Sequence, residues 1–71
     1  MSCMQILLYG SAAAQALARN ILQNLDVVKR EESINNGTEI RLFLSRPLNE
    51  TSLIPLLHPS GLHGFRLVDM Q

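Results

Sequence analysis

The chain has 71 residues and a mass of 7.9 kDa, which is enough for one small domain, residues 1–71, and too little for a second core. Hydrophobic residues make up 46% of the sequence and charged residues 17%, a balance that excludes a disordered tail. Six basic and six acidic residues give a formal net charge of zero, so bulk electrostatics favours neither a nucleic-acid nor a membrane partner.

The first third of the chain predicts a strand followed by a helix. Residues 4–9 form a short apolar run that ends at Gly10, which is typical of a buried strand ended by a sharp turn. Ser11 can cap the next helix, and the alanine-rich residues 12–18 have high helix propensity. Apolar residues at helical spacing predict its buried face: Ala14, Leu17, Ile21 and Leu25.

A β-hairpin is predicted in the middle of the chain. Asn35, Asn36 and Gly37 tolerate the positive φ angles of a tight turn, and residues 38–45 alternate as a strand does. The charged residues 29–33 then form the strand before the turn, and their polarity fits an edge of the sheet. In the alternative, a three-stranded domain, this charged segment is only a loop.

The last third predicts a short helix and a final strand. Asn49, Thr51 and Ser52 are all suitable helix caps ahead of an apolar run. Pro55 suits only the first turn of a helix, so either Ser52 caps a very short helix or the segment is kinked at the proline. Residues 59–61 end the helix, and the last strand covers residues 65–70.

The resulting order βαββαβ predicts an α/β (α+β) ferredoxin-like sandwich. Right-handed crossovers interleave the two βαβ halves into a four-stranded antiparallel sheet with both helices on one face. The expected strand order is 4-1-3-2. This order places the two most apolar strands at the centre and the charged second strand at an edge, in agreement with their composition.

The spacing of these segments resembles that of the heavy-metal-associated domain, a metallochaperone-like branch of the ferredoxin-like fold. Residues 21–28 are similar to the end of the first helix and the entry into the second strand of that family. Residues 49–57 and 61–68 are similar to its second helix, turn and last strand. The CxxC metal motif is absent, because Ser11 and Ala14 stand at the matching positions. The resemblance therefore implies the fold and not the transfer of a metal.

Another soft-metal site is conceivable from sulfur and imidazole groups. Its candidate ligands are Met1, Cys3, Met4, His58 and His63. Their spacing matches no recognised zinc motif, so the alternative interpretation is a start methionine, a strand cysteine and two solvated loop histidines. We therefore predict no cofactor and no metal site.

The sequence does not favour catalysis. A nucleophile at Cys3 or Ser11 needs a nearby base, for which His58 and His63 are the candidates, and no spacing brings them together. Glu31 and Glu32 are adjacent on a strand and point to opposite faces, so they cannot share a proton. The Gly10 turn alone is weak evidence for a phosphate site. We expect that the protein is not an enzyme.

The face of the sheet without helices is the most informative surface. Leu7 and Tyr9 on the first strand, with Arg41 and Phe43 on the third, are predicted to point outward on adjacent strands. Stacking of RNA bases on the aromatics is disfavoured by the zero net charge and the missing basic-aromatic motif.

We expect a non-catalytic protein-interaction or oligomerisation module that uses these four residues. Its partner is then another protein or a second copy, as in a homo-oligomer, with no nucleic acid and no membrane involved. The alternative is a small-ligand or soft-metal carrier related to metallochaperones. The single cysteine, the lack of a 20-residue apolar run and the lack of a signal-peptide pattern favour a cytoplasmic protein.

Overall fold

The fold contains four strands and two α-helices. The computed structural model describes residues 3–35 and 39–70. The elements in chain order are β1 (Cys3–Tyr9), α1 (Ala12–Asn24), β2 (Val28–Ile34), β3 (Glu39–Leu44), α2 (Glu50–Leu57) and β4 (Gly64–Met70). A single 3₁₀ turn, His58–Ser60, joins α2 to the approach of β4. The sequence prediction of βαββαβ is confirmed, with strand ends within one or two residues of those expected.

The four strands form one antiparallel sheet in the order β2-β3-β1-β4. This is the predicted ferredoxin-like order, with the apolar β1 and β3 at the centre. The charged segment is therefore a strand at the edge and not a loop. Its pairing with β3 is interrupted by a bulge between Val28 and Arg30. The turn of this hairpin was predicted at Asn35, Asn36 and Gly37. Asn35 has the positive φ angle that the prediction requires, 52°, and Asn36 and Gly37 lie outside the described residues.

The hydrophobic core lies between the sheet and the helices. Ile6 and Leu8 of β1 and Leu42 of β3 are fully buried, and they pack against Leu22 of α1 and Leu53 of α2. Side chains alternate along a strand, so the same three strand residues fix which face of the sheet the helices cover. The opposite face has no helix over it.

The buried face of α1 agrees with the prediction at Ala14 and differs from it at two leucines. Ile21, also predicted to be buried, is half-buried against the core. The buried residues of this helix are Ala14, Gln15, Ala18 and Leu22. Leu17 and Leu25, which were predicted to be buried, are 52% and 40% exposed. Both sets repeat at helical spacing. The short side chains of Ala14 and Ala18 let the helix lie close to the sheet, and the long Leu22 fills the space at its end.

The start of α2 confirms one of the three predicted caps, Asn49, and rules out a very short helix capped by Ser52. Asn49 is the N-cap, and its side chain accepts a hydrogen bond from the backbone N–H of Thr51. Ser52 therefore lies inside the helix, which continues through Pro55. Pro55 has no backbone N–H, so it cannot donate the helical hydrogen bond to the Thr51 carbonyl. Thr51 is exposed to water. Helical structure thus tolerates Pro55 because the carbonyl that it leaves unpaired is solvated.

Within residues 3–35 and 39–70, no helix has the length and apolar composition that crossing a membrane would need.

Candidate functional site

The sheet face opposite the helices is called the open face. Its members follow from the strand register and the alternation of side chains. They are Gln5, Leu7, Tyr9, Arg30, Glu32, Ile34, Glu39, Arg41, Phe43, Gly64, Arg66 and Val68. The residues predicted for the contact surface, Leu7, Tyr9, Arg41 and Phe43, all lie on this face and are half-buried. The predicted placement is therefore confirmed, while their role in binding remains a prediction.

A row of charged side chains crosses the middle of the open face. Arg41 lies opposite Leu7 on one side and opposite Glu32 on the other. Its guanidinium is 3.7 Å from the Glu32 carboxylate, and Leu7 separates it from Arg66 on β4. Arg41 Nε is buried and has no hydrogen-bond acceptor within the described part of the chain. The Arg41 guanidinium therefore lies against the sheet, and its Nε–H lacks an acceptor among the described residues.

The Phe43 ring is covered by a cation. The Arg30 guanidinium carbon lies 4.1 Å from the ring centroid, and the same side chain is 3.9 Å from Glu32. Guanidinium groups stack on aromatic faces, and this contact shields one face of the ring from water. The apolar surface predicted from Leu7, Tyr9 and Phe43 is therefore smaller than the sequence suggested, and arginines border it.

Gln5 is a member of this face that sequence reasoning missed. It is only 7% exposed and lies between Phe43 and Val68 on the central strand β1. The signal that could have revealed it is its position two residues before Leu7, which puts both on the same side of the strand.

The adjacent glutamates point to opposite sides, as predicted. Glu31 is 3.6 Å from Arg19 of α1, on the helix side of the sheet. Glu32 contacts Arg30 and Arg41 on the open face. The two carboxylates are therefore solvated partners of arginines and do not form an acid–base pair.

The positions that match CxxC form a helix cap. The Ser11 hydroxyl accepts a hydrogen bond of 3.1 Å from the backbone N–H of Ala14. Gly10, just before it, has a φ of 148°, and a Cβ at this position would be 3.2 Å from the backbone nitrogen of His63. The Gln15 side chain donates a hydrogen bond of 2.8 Å to the Gly10 carbonyl. These contacts give the turn a structural role, as the connection between β1 and α1.

The structure separates the sulfur and imidazole groups that were considered together. His63 is bound through its backbone to the Tyr9 carbonyl, at the far end of β1 from Cys3. The seven residues of β1 are joined by six steps of about 3.3 Å, which put roughly 20 Å between its two ends. A site or a nucleophile–base pair that joins Cys3 to His63 is therefore excluded.

Within the described residues, the remaining candidate ligands form no metal-binding cluster either. Met4 lies on the core side, where its sulfur accepts a hydrogen bond of 3.2 Å from the backbone N–H of Leu48. Met1 lies outside the described residues. Among the residues that the structure describes, no three His, Cys, Asp or Glu side chains are close enough to hold a metal ion.

Comparison with known proteins places the fold in a class. The solution structure of the yeast copper transporter domain CCC2A, solved in the apo and Cu(I)-loaded states, superimposes with a TM-score of 0.53. The match covers 100% of this chain and 97% of that domain at 12% sequence identity. No family model and no curated protein matches the sequence. The chain therefore has the ferredoxin-like fold, as the segment spacing predicted, and its likeness to the copper transporter domain concerns the fold alone.

Proposed function

We propose that this chain is a non-catalytic protein-interaction or oligomerisation module of the cytoplasm, and that the open face is its contact surface. The observation that carries the proposal is the position of Leu7, Tyr9, Arg41 and Phe43 on adjacent central strands of the one sheet face without helices. Aromatic residues and arginine are enriched at protein interfaces and dominate their energetics.

The size of the open face sets the expected strength of binding. Three strands of seven residues and one of six form the sheet, which gives a surface of roughly 20 Å by 20 Å, or about 400 Å² for each partner. Stable complexes bury about 800 Å² for each partner. We therefore expect a complex formed through this face alone to fall at the small end of the range of interface sizes, where transient encounters lie.

The partner is another protein or a second copy of the chain. The zero net charge removes the long-range repulsion that keeps many small proteins monomeric, which supports self-association. It also supplies no electrostatic attraction for a nucleic acid or an anionic membrane. The open face itself carries both signs of charge, with Glu32 and Glu39 among its arginines.

Sedimentation velocity over a concentration series from 10 µM to 1 mM tests this proposal. We expect the native chain to associate with increasing concentration and the Phe43→Arg variant to remain monomeric, because the new cation lies beside Arg30. Leu17→Arg is the matched control, since it places the same charge on an exposed apolar site of α1. Association of Phe43→Arg at the native level would show that the open face is not the contact surface.

A second function, binding and carriage of a small ligand or a soft metal, is favoured by the likeness to a copper transporter domain. That likeness supports this function more directly than it supports an interaction module. Cys3 is the only thiol of the chain, and soft ions such as Cu(I) prefer sulfur ligands. The lost thiolate pair and the distance from Cys3 to His63 limit the ligands available.

Titration of the reduced chain with Cu(I) against a chromophoric competitor tests the second function. Stoichiometric binding that is lost in Cys3→Ser is the expected result for a metal carrier. His58→Ala is the control for metal bound by surface imidazole, because that residue is exposed. Equal binding by the native chain and Cys3→Ser would remove the thiol from the site and this function from consideration.

A further inference from the structure

An apolar groove of about 270 Å³ lies between α2 and β4, away from the open face. One side of the groove consists of three α2 residues at helical spacing and the residue that follows the helix. They are Glu50, Ile54, Leu57 and His58. The other side includes Leu62 and Phe65. Ile54 is 54% exposed, so the groove has an apolar side chain at its rim that no described residue covers.

The groove borders a free edge of the sheet. β4 is the last strand in the order β2-β3-β1-β4, so no strand among the described residues pairs with the alternate backbone N–H and C=O groups along its outer side. The other edge, β2, has a bulge and carries Lys29, Arg30 and Glu31, all of which hinder pairing with another chain. β4 pairs with β1 over all its residues without a bulge and carries no such run of charges.

An extended peptide is the occupant that matches this combination. Unpaired backbone groups along an edge accept a strand, and a groove beside the edge accepts every second side chain of that strand. Glu50 lies at the groove and forms no ion pair with the described residues, so it attracts a cation. We propose that a protein partner adds an extended segment to β4 as a fifth strand, with apolar side chains in the groove and a lysine or arginine beside Glu50.

The direction of the segment follows from the course of the chain. The C-terminal end of α2 leads through the short turn at His58–Ser60 to the start of β4, where Gly64 and Phe65 line the groove. Glu50, at the N-terminal end of α2, lies at the opposite end of the groove from His58. A strand antiparallel to β4 therefore enters at Glu50 and leaves near Gly64. The basic residue comes first in the segment, and the apolar residues follow it at alternate positions.

The test uses the acetylated and amidated peptide Lys-Thr-Ile-Thr-Val-Thr, titrated into the full chain and followed by amide chemical shifts. We expect shifts in Gly64–Met70 and slower hydrogen exchange there. Glu50→Lys should weaken binding at least tenfold, and a peptide with glutamate in place of lysine should recover binding to that variant. Glu31→Lys, on the other edge strand, is the charge-matched control and should leave the affinity unchanged.

Two further arms separate strand addition from other modes of binding. A peptide N-methylated at alternate residues that face β4 keeps its side chains and should lose binding, because it cannot pair with the strand. Phe43→Arg should bind the native peptide normally, because the open face is a different surface. The proposal is overturned by binding that survives N-methylation, by no binding at millimolar peptide, or by β4 exchange protection that depends on chain concentration without peptide.

Discussion

At the open face, an arginine from the edge strand lies over an aromatic ring of the neighbouring strand. The Arg30 guanidinium is 4.1 Å from the Phe43 centroid, and Arg30 is exposed. Cation–π contacts at exposed sites contribute about 0.5–1 kcal/mol. A partner can displace the arginine at that small cost. Phe43 is therefore available to a partner, although the free chain keeps its ring partly covered.

Among the described glycines, Gly10 is the one at which an added methyl group should destabilise the fold most. Its φ of 148° is unfavourable for any L side chain, and an added Cβ would be 3.2 Å from the His63 nitrogen and 3.4 Å from the Leu62 Cα. Both neighbours are backbone atoms, so neither moves without moving the approach to β4. We expect Gly10→Ala to lower the free energy of unfolding by about 2–3 kcal/mol, measured by urea denaturation.

Gly61→Ala is the reference for the cost of a positive φ angle without a close contact. Gly61 has a φ of 80°, and a Cβ built there meets no atom within 4 Å. The left-handed conformation alone costs an alanine about 1 kcal/mol. A loss at Gly10 no larger than the loss at Gly61 would show that neither the φ of 148° nor the contact with His63 adds to the cost.

The two faces of α1 show why helical spacing alone could not identify its buried side. Ala14, Ala18 and Leu22 repeat every four residues, and so do Leu17, Ile21 and Leu25. The sequence rule favours the stripe with more leucine and isoleucine. The structure buries the stripe with the shorter side chains, because the distance between helix and sheet is set by the whole interface. That distance depends on packing across the whole interface, so no short stretch of sequence indicates it.

Substitution of one leucine from each stripe tests the observed orientation of α1. Leu22 is fully buried, whereas Leu17 is 52% exposed. We expect Leu22→Ala to cost about 3 kcal/mol of stability and Leu17→Ala less than about 0.5 kcal/mol. In a domain of this size the first change lowers the melting temperature by more than about 10 °C in calorimetry. A larger loss for Leu17→Ala would restore the orientation predicted from the sequence.

At the scale of the whole molecule, strand order was predictable because composition differs between centre and edge. A strand paired on both sides and covered on one face is apolar, as β1 and β3 are, and the charged β2 tolerates only an edge. The groove beside β4 was not predictable in this way. It depends on the side of α2 that faces the sheet, and the exposed Ile54 and buried Leu57 are equally apolar in sequence.

The similarity of fold to the copper transporter domain predicts where an introduced pair of thiols should bind a metal. The test needs cysteines that the native sequence lacks. Ser11 and Ala14 stand at the positions that match CxxC in the heavy-metal-associated domain, and a hydrogen bond of 3.1 Å already joins them. In a Cys3→Ser background, we expect Ser11→Cys with Ala14→Cys to bind Cu(I) at least 100-fold more tightly than the background alone. Two thiolates held together suit this ion. Loss of the Ser11 cap costs about 1 kcal/mol, a small part of typical domain stability.

The control keeps the number of thiols and changes only their geometry. Ser11→Cys with Leu17→Cys places the second thiol six residues from the first, on an exposed site further along α1. The two side chains then project from different turns and cannot chelate one ion, so we expect the affinity of a single thiol in the same Cu(I) competition titration. If both pairs bound equally, the turn after β1 would lack the geometry of a metal loop, and the likeness to the copper transporter domain would end at the sheet and helices.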